Sequence, residues 1–244
     1  MTFPSPDVAI PPTVAACAGG RTVTPVWRNE LGGTTFRIGN DEYLKWQPIR
    51  APGGAQPHTD ADLRTEAEKL RWARSHGASV PAVVGFGSTA DAEWLRTAAI
   101  RASSAVDPRW AAEPVTAARS IGLGLRLLHE LTPVADCPFS WSADERLARA
   151  TSRDLPAPPP IDRLVVCHGD ACAPNTLLSD DGGFAGHVDL GALGVGDRWA
   201  DIAVATMSLA WNYPTVHEEA LLDAYGVDPD PERTAFYRAL WNAT

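Results

Sequence analysis

The chain has 244 residues, 45% of them hydrophobic, and its 21 Lys plus Arg against 30 Asp plus Glu leave a formal net charge of −9, with a mean hydropathy of −0.15. This composition suits a globular protein with a substantial core, in one large domain or two small lobes, and no run approaches the roughly 20 apolar residues of a membrane-spanning helix. Residues 1–135 carry 14 basic and 13 acidic side chains while residues 136–244 carry 7 and 17, so the C-terminal half repels nucleic acid and anionic membranes and attracts cations, whether Mg²⁺ or a polycationic small molecule.

The N-terminal stretch has no Lys or Arg ahead of its apolar part and several early prolines, unlike a secretory signal. Cysteines at positions 17, 137, 167 and 172 are too sparse for a disulfide framework and fit a reducing compartment. The expectation is a cytoplasmic protein, monomeric or weakly dimeric.

Residues 24–50 read as a β-meander: a strand to Arg28, a turn at Gly32-Gly33, a strand over 35–38, a turn at Gly39-Asn40-Asp41 and a strand over 42–47. Residues 51–58 are a loop. Over residues 60–75, Leu63, Ala67, Leu70 and Ala73 fall near helical spacing, with Asp60 or Asp62 available as a cap and Gly77 as a stop. Residues 80–86 and 93–100 read as strands, so the first 100 residues form a small α+β lobe.

From Glu113 the pattern becomes helical, with a long apolar-faced helix over 114–131 and a short one over 143–149. The Pro-rich run 151–160 is a connector. A strand then ends in the polar turn His168-Gly169-Asp170; the runs TLLSD and FAGHVDL form a hairpin about a DGG turn; and helices follow over 201–211, over 217–225 and briefly from Pro231. The predicted fold class is α+β, with lobes at residues 1–100 and 101–244 and no internal repeat.

The hairpin carries the informative spacing. Asn175 lies five residues after Asp170, and Asp189 fourteen after Asn175, so two carboxylates and an amide oxygen come to one end of it. Hard oxygen donors of this kind suit Mg²⁺ shared with substrate phosphates, and Asp-x₄-Asn followed by a second Asp is the pattern of kinase catalytic and metal-binding loops. Such a site needs a cation on the nucleotide phosphates. The chain has only two lysines, and Lys45 in the apolar run YLKW is the candidate, with Glu66 as its ion-pair partner. Thr34, in the Gly32-Gly33-Thr34-Thr35 turn, is placed to cover phosphates, and Ala98 and Ile100 to offer backbone groups to a purine.

The runs LVVCHGDACAPNTLL, GHVDLGALGVGDRWADIAVAT and AFYRAL resemble the aminoglycoside 3′-phosphotransferases, small-molecule kinases with a two-lobed protein-kinase-like fold. The resemblance spans most of the chain and is strongest over residues 164–206. It implies transfer of the γ-phosphoryl of ATP or GTP to a hydroxyl of a cationic small molecule. Asp170 would orient that hydroxyl and act as base, Asn175 and Asp189 would hold Mg²⁺ on the β and γ phosphates, and Lys45, set by Glu66, would contact the α and β phosphates. His168 would be a structural residue of the loop.

Three departures bear on the acceptor. The acidic insertion that grips the drug in that family looks shortened between Cys137 and His168; Ala192 stands where the family usually has Arg; and the chain ends Trp241-Asn242-Ala243-Thr244 in place of an acidic tail. The phosphotransfer parts are therefore intact while several contacts to a cationic acceptor are missing. An acceptor that is another sugar or amino alcohol, or nucleotide binding without turnover, are the alternatives. Trp211 and Trp241 are core residues or a stacking surface for a substrate ring. Asp197, Arg198 and Asp201 brace the loop and the helix after it. Cys167, His168, Cys172 and His187 have no usual zinc-ligand spacing.

Overall fold

The computed structural model describes residues 8–29, 32–49, 62–152 and 154–244. The loop at 51–58 and the candidate cap Asp60 fall outside the described residues. The chain divides into two compact units, Met1–Trp72 with Pro81–Ile100, and Ala73–Val80 with Arg101–Thr244.

The first unit is built on an antiparallel sheet of β1 (Val23–Arg28), β2 (Thr34–Ile38), β3 (Glu42–Pro48), β4 (Val83–Ser88) and β5 (Ala92–Ala98), in the order β1-β2-β3-β5-β4. Lys45 on β3 stands between Thr35 of β2 and Leu95 of β5. Helix α2 (Leu63–Ser75) begins at Asp62, whose Oδ1 accepts the amides of Arg64 and Thr65 at 2.9 and 3.3 Å, satisfying two of the orphan donors of the first turn. Leu63, Ala67, Leu70 and Ala73 are buried, and Glu66 with them. A short helix α1 (Pro12–Ala18) was not anticipated. It has Pro at its first position and a left-handed Gly19 after its end, both genuine boundary signals. Seven residues are too few to show a period, and what fixes α1 is packing of Val14 and Ala18 on Phe36, Ile38 and Leu44.

The second unit holds β6 (Ser103–Ser104), α3 (Pro108–Ala111), α4 (Pro114–Leu131), α5 (Ala143–Arg149), β7 (Leu164–Cys167), β8 (Thr176–Leu178), β9 (Phe184–His187), β10 (Gly194–Asp197), α6 (Trp199–Asn212), α7 (Glu218–Tyr225) and α8 (Pro231–Ala243). The strands form two small sheets, β10-β7 and β6-β8-β9. Ala117, Ala118, Ile121, Leu125 and Leu128 make the buried stripe of α4, facing a core with Ile202 and Leu209 of α6 and Phe236 and Leu240 of α8. Each such leucine contributes ~1.5–3 kcal/mol of burial. Bare backbone on α4 lets its neighbours approach: a Cβ at Gly122 would stand 2.2 Å from the Leu221 carbonyl oxygen of α7, and one at Gly124 would stand 2.5 Å from the Phe184 ring of β9. The helix from Pro231 runs 13 residues and is not short. β10, with the sequence GVGD, has little strand propensity and is held by its pairing with β7. Among the described residues no helix is long and apolar enough to cross a membrane.

Candidate active site

β7 buries Val165, Val166 and Cys167 and delivers His168-Gly169-Asp170 at its end. Gly169 has φ 85°, and a Cβ there would lie 2.1 Å from the Ala192 carbonyl oxygen; glycine is required on both counts. The loop is pinned from below by Asp201 in the first turn of α6. Its carboxylate accepts the His168 amide at 2.6 Å and the Gly169 amide at 2.9 Å, and takes His129 Nε2 at 2.9 Å. His129 Nδ1 in turn lies 2.9 Å from the Tyr225 hydroxyl. Burial pushes the Asp201 carboxyl up, but the His129 hydrogen bond, the neighbouring imidazoles and the Gly169 amide outweigh it and hold the group below the usual carboxylate range. His168 is fully buried and donates from Nε2 to the Val188 carbonyl at 3.0 Å, a structural bond. One further tie comes from Ser208 of α6, whose hydroxyl accepts the Ala173 amide at 2.9 Å.

Above this base Asp170, Asn175 and Asp189 come together. The Asp170 carboxylate accepts the Cys172 thiol at 3.1 Å and Asn175 Nδ2 at 3.2 Å, while the same Nδ2 donates to the Asp170 carbonyl at 2.9 Å. With its NH₂ turned to Asp170, the Asn175 amide presents Oδ1 on its other side. Thr176 faces His187 across β8 and β9, and the Val188 amide donates to the Asn175 carbonyl at 2.9 Å, so Asp189 follows directly beside Asn175. Asp189 is exposed and has φ 66°, the one non-glycine residue with positive φ among the described residues. Left-handed backbone at such a residue costs ~1–2 kcal/mol and concentrates at functional sites. Burial, then the charge of Asp189, pushes the Asp170 carboxyl up. Two carboxylates and an amide oxygen form a donor set that fits Mg²⁺.

The cysteines and histidines take other roles. Burial pushes the Cys172 and Cys167 thiols up, so both stay protonated; Cys167 donates to the Asp197 carbonyl at 3.3 Å. His187 packs against His168 and Phe184, with ring centroids 5.3 and 4.8 Å away, and burial pushes its imidazole down to about 3. Cys167, His168, Cys172 and His187 do not converge as a ligand set. The group that does converge among the described residues is His129, Cys167 and Asp201, all buried and all already engaged in hydrogen bonds.

In the first unit Lys45 Nζ lies 2.7 and 2.9 Å from the two carboxylate oxygens of Glu66. The Glu66 side chain is 6% exposed and that of Lys45 28%. Thr34 is buried and faces Trp46, one position out of step with the Thr35–Lys45 pair; by strand alternation Thr35, and not Thr34, shares the Lys45 face. The amides of the Gly32-Gly33 turn are taken within the hairpin: Gly32 donates to the Asn29 carbonyl at 3.3 Å and Gly33 to Asn29 Oδ1 at 2.7 Å. The Ala98 amide donates to the Ala82 carbonyl and the Ala99 amide to the Asp41 carbonyl, each at 2.8 Å. The Ala98 and Ala99 amides are therefore both engaged within this unit.

Sequence reasoning marked Asp201 as a brace and weighed Cys172 within a zinc-ligand set, not as a donor to Asp170, and it missed His129 and Ser208. The available signal was a polar side chain on the apolar stripe of α4 and a serine on a helix buried nearly all round. Trp211 and Trp241 lie together at the ends of α6 and α8, ring centroids 5.4 Å apart and tilted by 40°, with Trp211 52% exposed. The Pro-rich connector is fastened to α8 by the Thr151 amide on the Ala243 carbonyl and Arg233 on the Pro160 carbonyl, each at 2.9 Å.

A strand-borne lysine held by a helix glutamate, and an Asp-x₄-Asn loop followed by a second aspartate, on this pair of units, define a phosphotransferase with a protein-kinase-like fold. The model of the phosphotransferase enzyme family matches residues 35–154 and 143–237, and the chain belongs to that family. It is 35% identical over 232 residues to an aminoglycoside 3′-phosphotransferase of Streptomyces fradiae, covering 81% of this chain and 84% of that protein. It is 29% identical over 252 residues to a streptomycin 3″-kinase of Streptomyces griseus, covering 87% and 88%. Among solved structures, the aminoglycoside phosphotransferase APH(3″)-Id of Streptomyces rimosus matches with a TM-score of 0.74 at 27% identity, over 95% of this chain and 96% of that one. That protein has also been solved with ADP and streptomycin, matching with a TM-score of 0.72.

Proposed function

We propose that the protein transfers the γ-phosphoryl group of ATP or GTP to a hydroxyl of an aminoglycoside, in the cytoplasm, with antibiotic resistance as the consequence. Residues 1–100 act as the nucleotide lobe and residues 101–244 as the catalytic and acceptor lobe. The observation that carries the reading is the Asp170–Asn175–Asp189 cluster, built on a loop whose backbone is clamped by Asp201.

Asp170 accepts a hydrogen bond from the acceptor hydroxyl and aligns its oxygen with the γ-phosphorus. As the new O–P bond forms and the bond to the leaving β-phosphate oxygen breaks, the hydroxyl proton passes to the Asp170 carboxylate. Asn175 Nδ2 holds that carboxylate in place. Asn175 Oδ1 and the Asp189 carboxylate hold Mg²⁺, which when bound neutralises charge on the phosphates. Lys45, oriented by both oxygens of Glu66, takes the α and β phosphates. Because the transition state is loose, positioning and charge neutralisation supply most of the rate.

A second reading, transfer to another sugar or amino alcohol, is favoured by Ala192, which packs its backbone on Gly169 and presents only a methyl group. The test incubates wild type and Asp170→Asn with Mg²⁺, ATP or GTP, and a panel of aminoglycosides including one without a 3′-hydroxyl, and reads product by mass spectrometry. Phosphorylated drug from wild type alone, and only where that hydroxyl is present, establishes 3′-transfer. Product on other amino sugars alone moves the assignment to the second reading.

A further inference from the structure

The C-terminal half of the chain is strongly acidic, yet the second unit contains a cavity of about 240 Å³ lined by Arg126, His129, Glu130, Arg163, Arg198, Tyr225 and Gly226. Three guanidinium groups converge on it from separate elements. Arg126 comes from α4 and lies over Gly226, its Nη1 3.9 Å from where a Cβ of that glycine would stand. Arg163 comes from the segment entering β7. Arg198 comes from the residue before α6, with its guanidinium 6.0 Å from the Tyr225 ring centroid.

The arginines are only partly neutralised. Arg126 Nε pairs with Glu130 at 2.9 Å, which leaves the outer nitrogens of its fork, while Arg198 pairs through Nε with Asp162 at 2.5 Å and also bonds the Tyr225 hydroxyl. The Arg163 side chain makes no hydrogen bond or ion pair among the described residues. Three guanidinium charges meet one carboxylate within the lining, Glu130, and a second, Asp162, paired with Arg198 from just outside it, which leaves Arg163 as the cation that no acid pairs. Asp162, outside the lining, and Asp201, beneath His129, complete the nearby acids. The floor is rigid: Tyr225 and His129 are buried, bonded to each other, and held through His129 on Asp201. A ligand therefore meets a preformed floor, over which the exposed Arg126 and Arg163 side chains order on entry.

We propose that this cavity is a binding site for a small phosphate-bearing anion, either inorganic phosphate or a phosphomonoester. Planar guanidinium forks match phosphate oxygens in pairs, and the anionic phosphate would meet Arg163, which no acid pairs, together with the free edge of the Arg126 fork. The volume is below the ~300 Å³ at which pockets for drug-sized ligands begin. Its sign also excludes a cationic acceptor, so the cavity is not a further subsite for the substrate of the transfer reaction.

The test titrates inorganic phosphate, glycerol 3-phosphate and, as a shape control, sulfate into wild-type protein saturated with Mg²⁺ and a non-hydrolysable ATP analogue, read by calorimetry. The same titrations use Arg163→Gln and Arg126→Gln/Arg163→Gln. Saturable one-to-one binding to wild type is expected, weakened at least ~tenfold in the double variant, with affinity for the ATP analogue unchanged as the control for folding. Tighter binding of glycerol 3-phosphate than of phosphate identifies a phosphomonoester site, and the reverse a site for free phosphate. Absence of saturable binding, or equal affinity in wild type and double variant, overturns the proposal. The readout is binding, so it stands apart from the outcome of the transfer assay.

Discussion

Asp201 is fully buried and Asp170 half-buried in the same loop assembly, and their carboxyls shift in opposite directions. Asp201 has every lone pair it needs matched: two backbone amides and an imidazole hold it ionised against the cost of burial. Asp170 has one thiol and one shared amide, with Asp189 adding like charge. One aspartate is used for stability and the other is left electrostatically unsatisfied, which is the condition of a group that must take a proton and live beside a cation. Desolvation pushes both carboxyls up, and the more deeply buried one nevertheless ends lower, so the count of donors decides the direction.

The largest effect expected is on Asp170. Asp170→Asn should lower kcat by ~10³-fold, within the range for a positioned base, while leaving nucleotide affinity unchanged; retention of the wild-type rate overturns the base assignment. Stability should move the other way. The folded-state carboxyl is raised, so its ionisation in the native state opposes folding above that raised value. In metal-free buffer Asp170→Asn should therefore be more stable than wild type at pH 7, and the gap should shrink as pH falls through the raised folded value and be closed by about pH 4, the unfolded value. Urea melts across this range read the sign directly.

Asp201→Ala should show the opposite balance. Loss of the carboxylate leaves the His168 and Gly169 amides and His129 without their acceptor, a destabilisation of ~3–5 kcal/mol at pH 7. Since the folded carboxyl is depressed, its contribution is present above the unfolded value of about 4 and is lost as pH falls through the lower folded value. The gap between wild type and Asp201→Ala in urea melts should stay constant down to about pH 4 and shrink below it. A constant gap down to pH 2 removes the charge from the account.

These two residues also mark how far the sequence could be read. The Asp170, Asn175 and Asp189 spacing was legible because a hairpin of local contacts brings them together, and Glu66 because a helix period and a scarce lysine point at each other. Asp201 was visible only as part of a polar run. His129, 72 residues away from it, was not, since nothing local records which helix face meets which loop. Thr34 failed for a similar reason: a single-residue offset in register decides its face, and the Gly-Gly turn before it tolerates either. The strand β10 was missed because two glycines hide a segment that only its partner makes into a strand.

A smaller effect is expected in the first unit. Glu66→Gln retains shape and one acceptor but removes the charge that fixes Lys45, and should raise the KM for ATP by ~tenfold with kcat changed less. Steady-state kinetics at varied ATP test this; an unchanged KM denies the pair a role in nucleotide binding.

The smallest change sharpens the comparison most. Cys172 supplies one of the two side-chain donors to the Asp170 carboxylate, and its thiol is held protonated by burial and then by the Asp170 charge. Cys172→Ala removes that donor without touching Asn175, Asp189 or the Asp201 clamp. A weak thiol hydrogen bond contributes about 0.5–1 kcal/mol, so kcat should fall by about twofold to fivefold, with the KM for ATP unchanged. The lost bond had favoured the carboxylate, so the acid limb of the kcat profile should move to higher pH, while Cys172→Ser, which restores a donor, should move it back. A profile that responds equally to Ala and Ser would mean that packing at this position, and not the number of donors to Asp170, sets the state of the carboxylate.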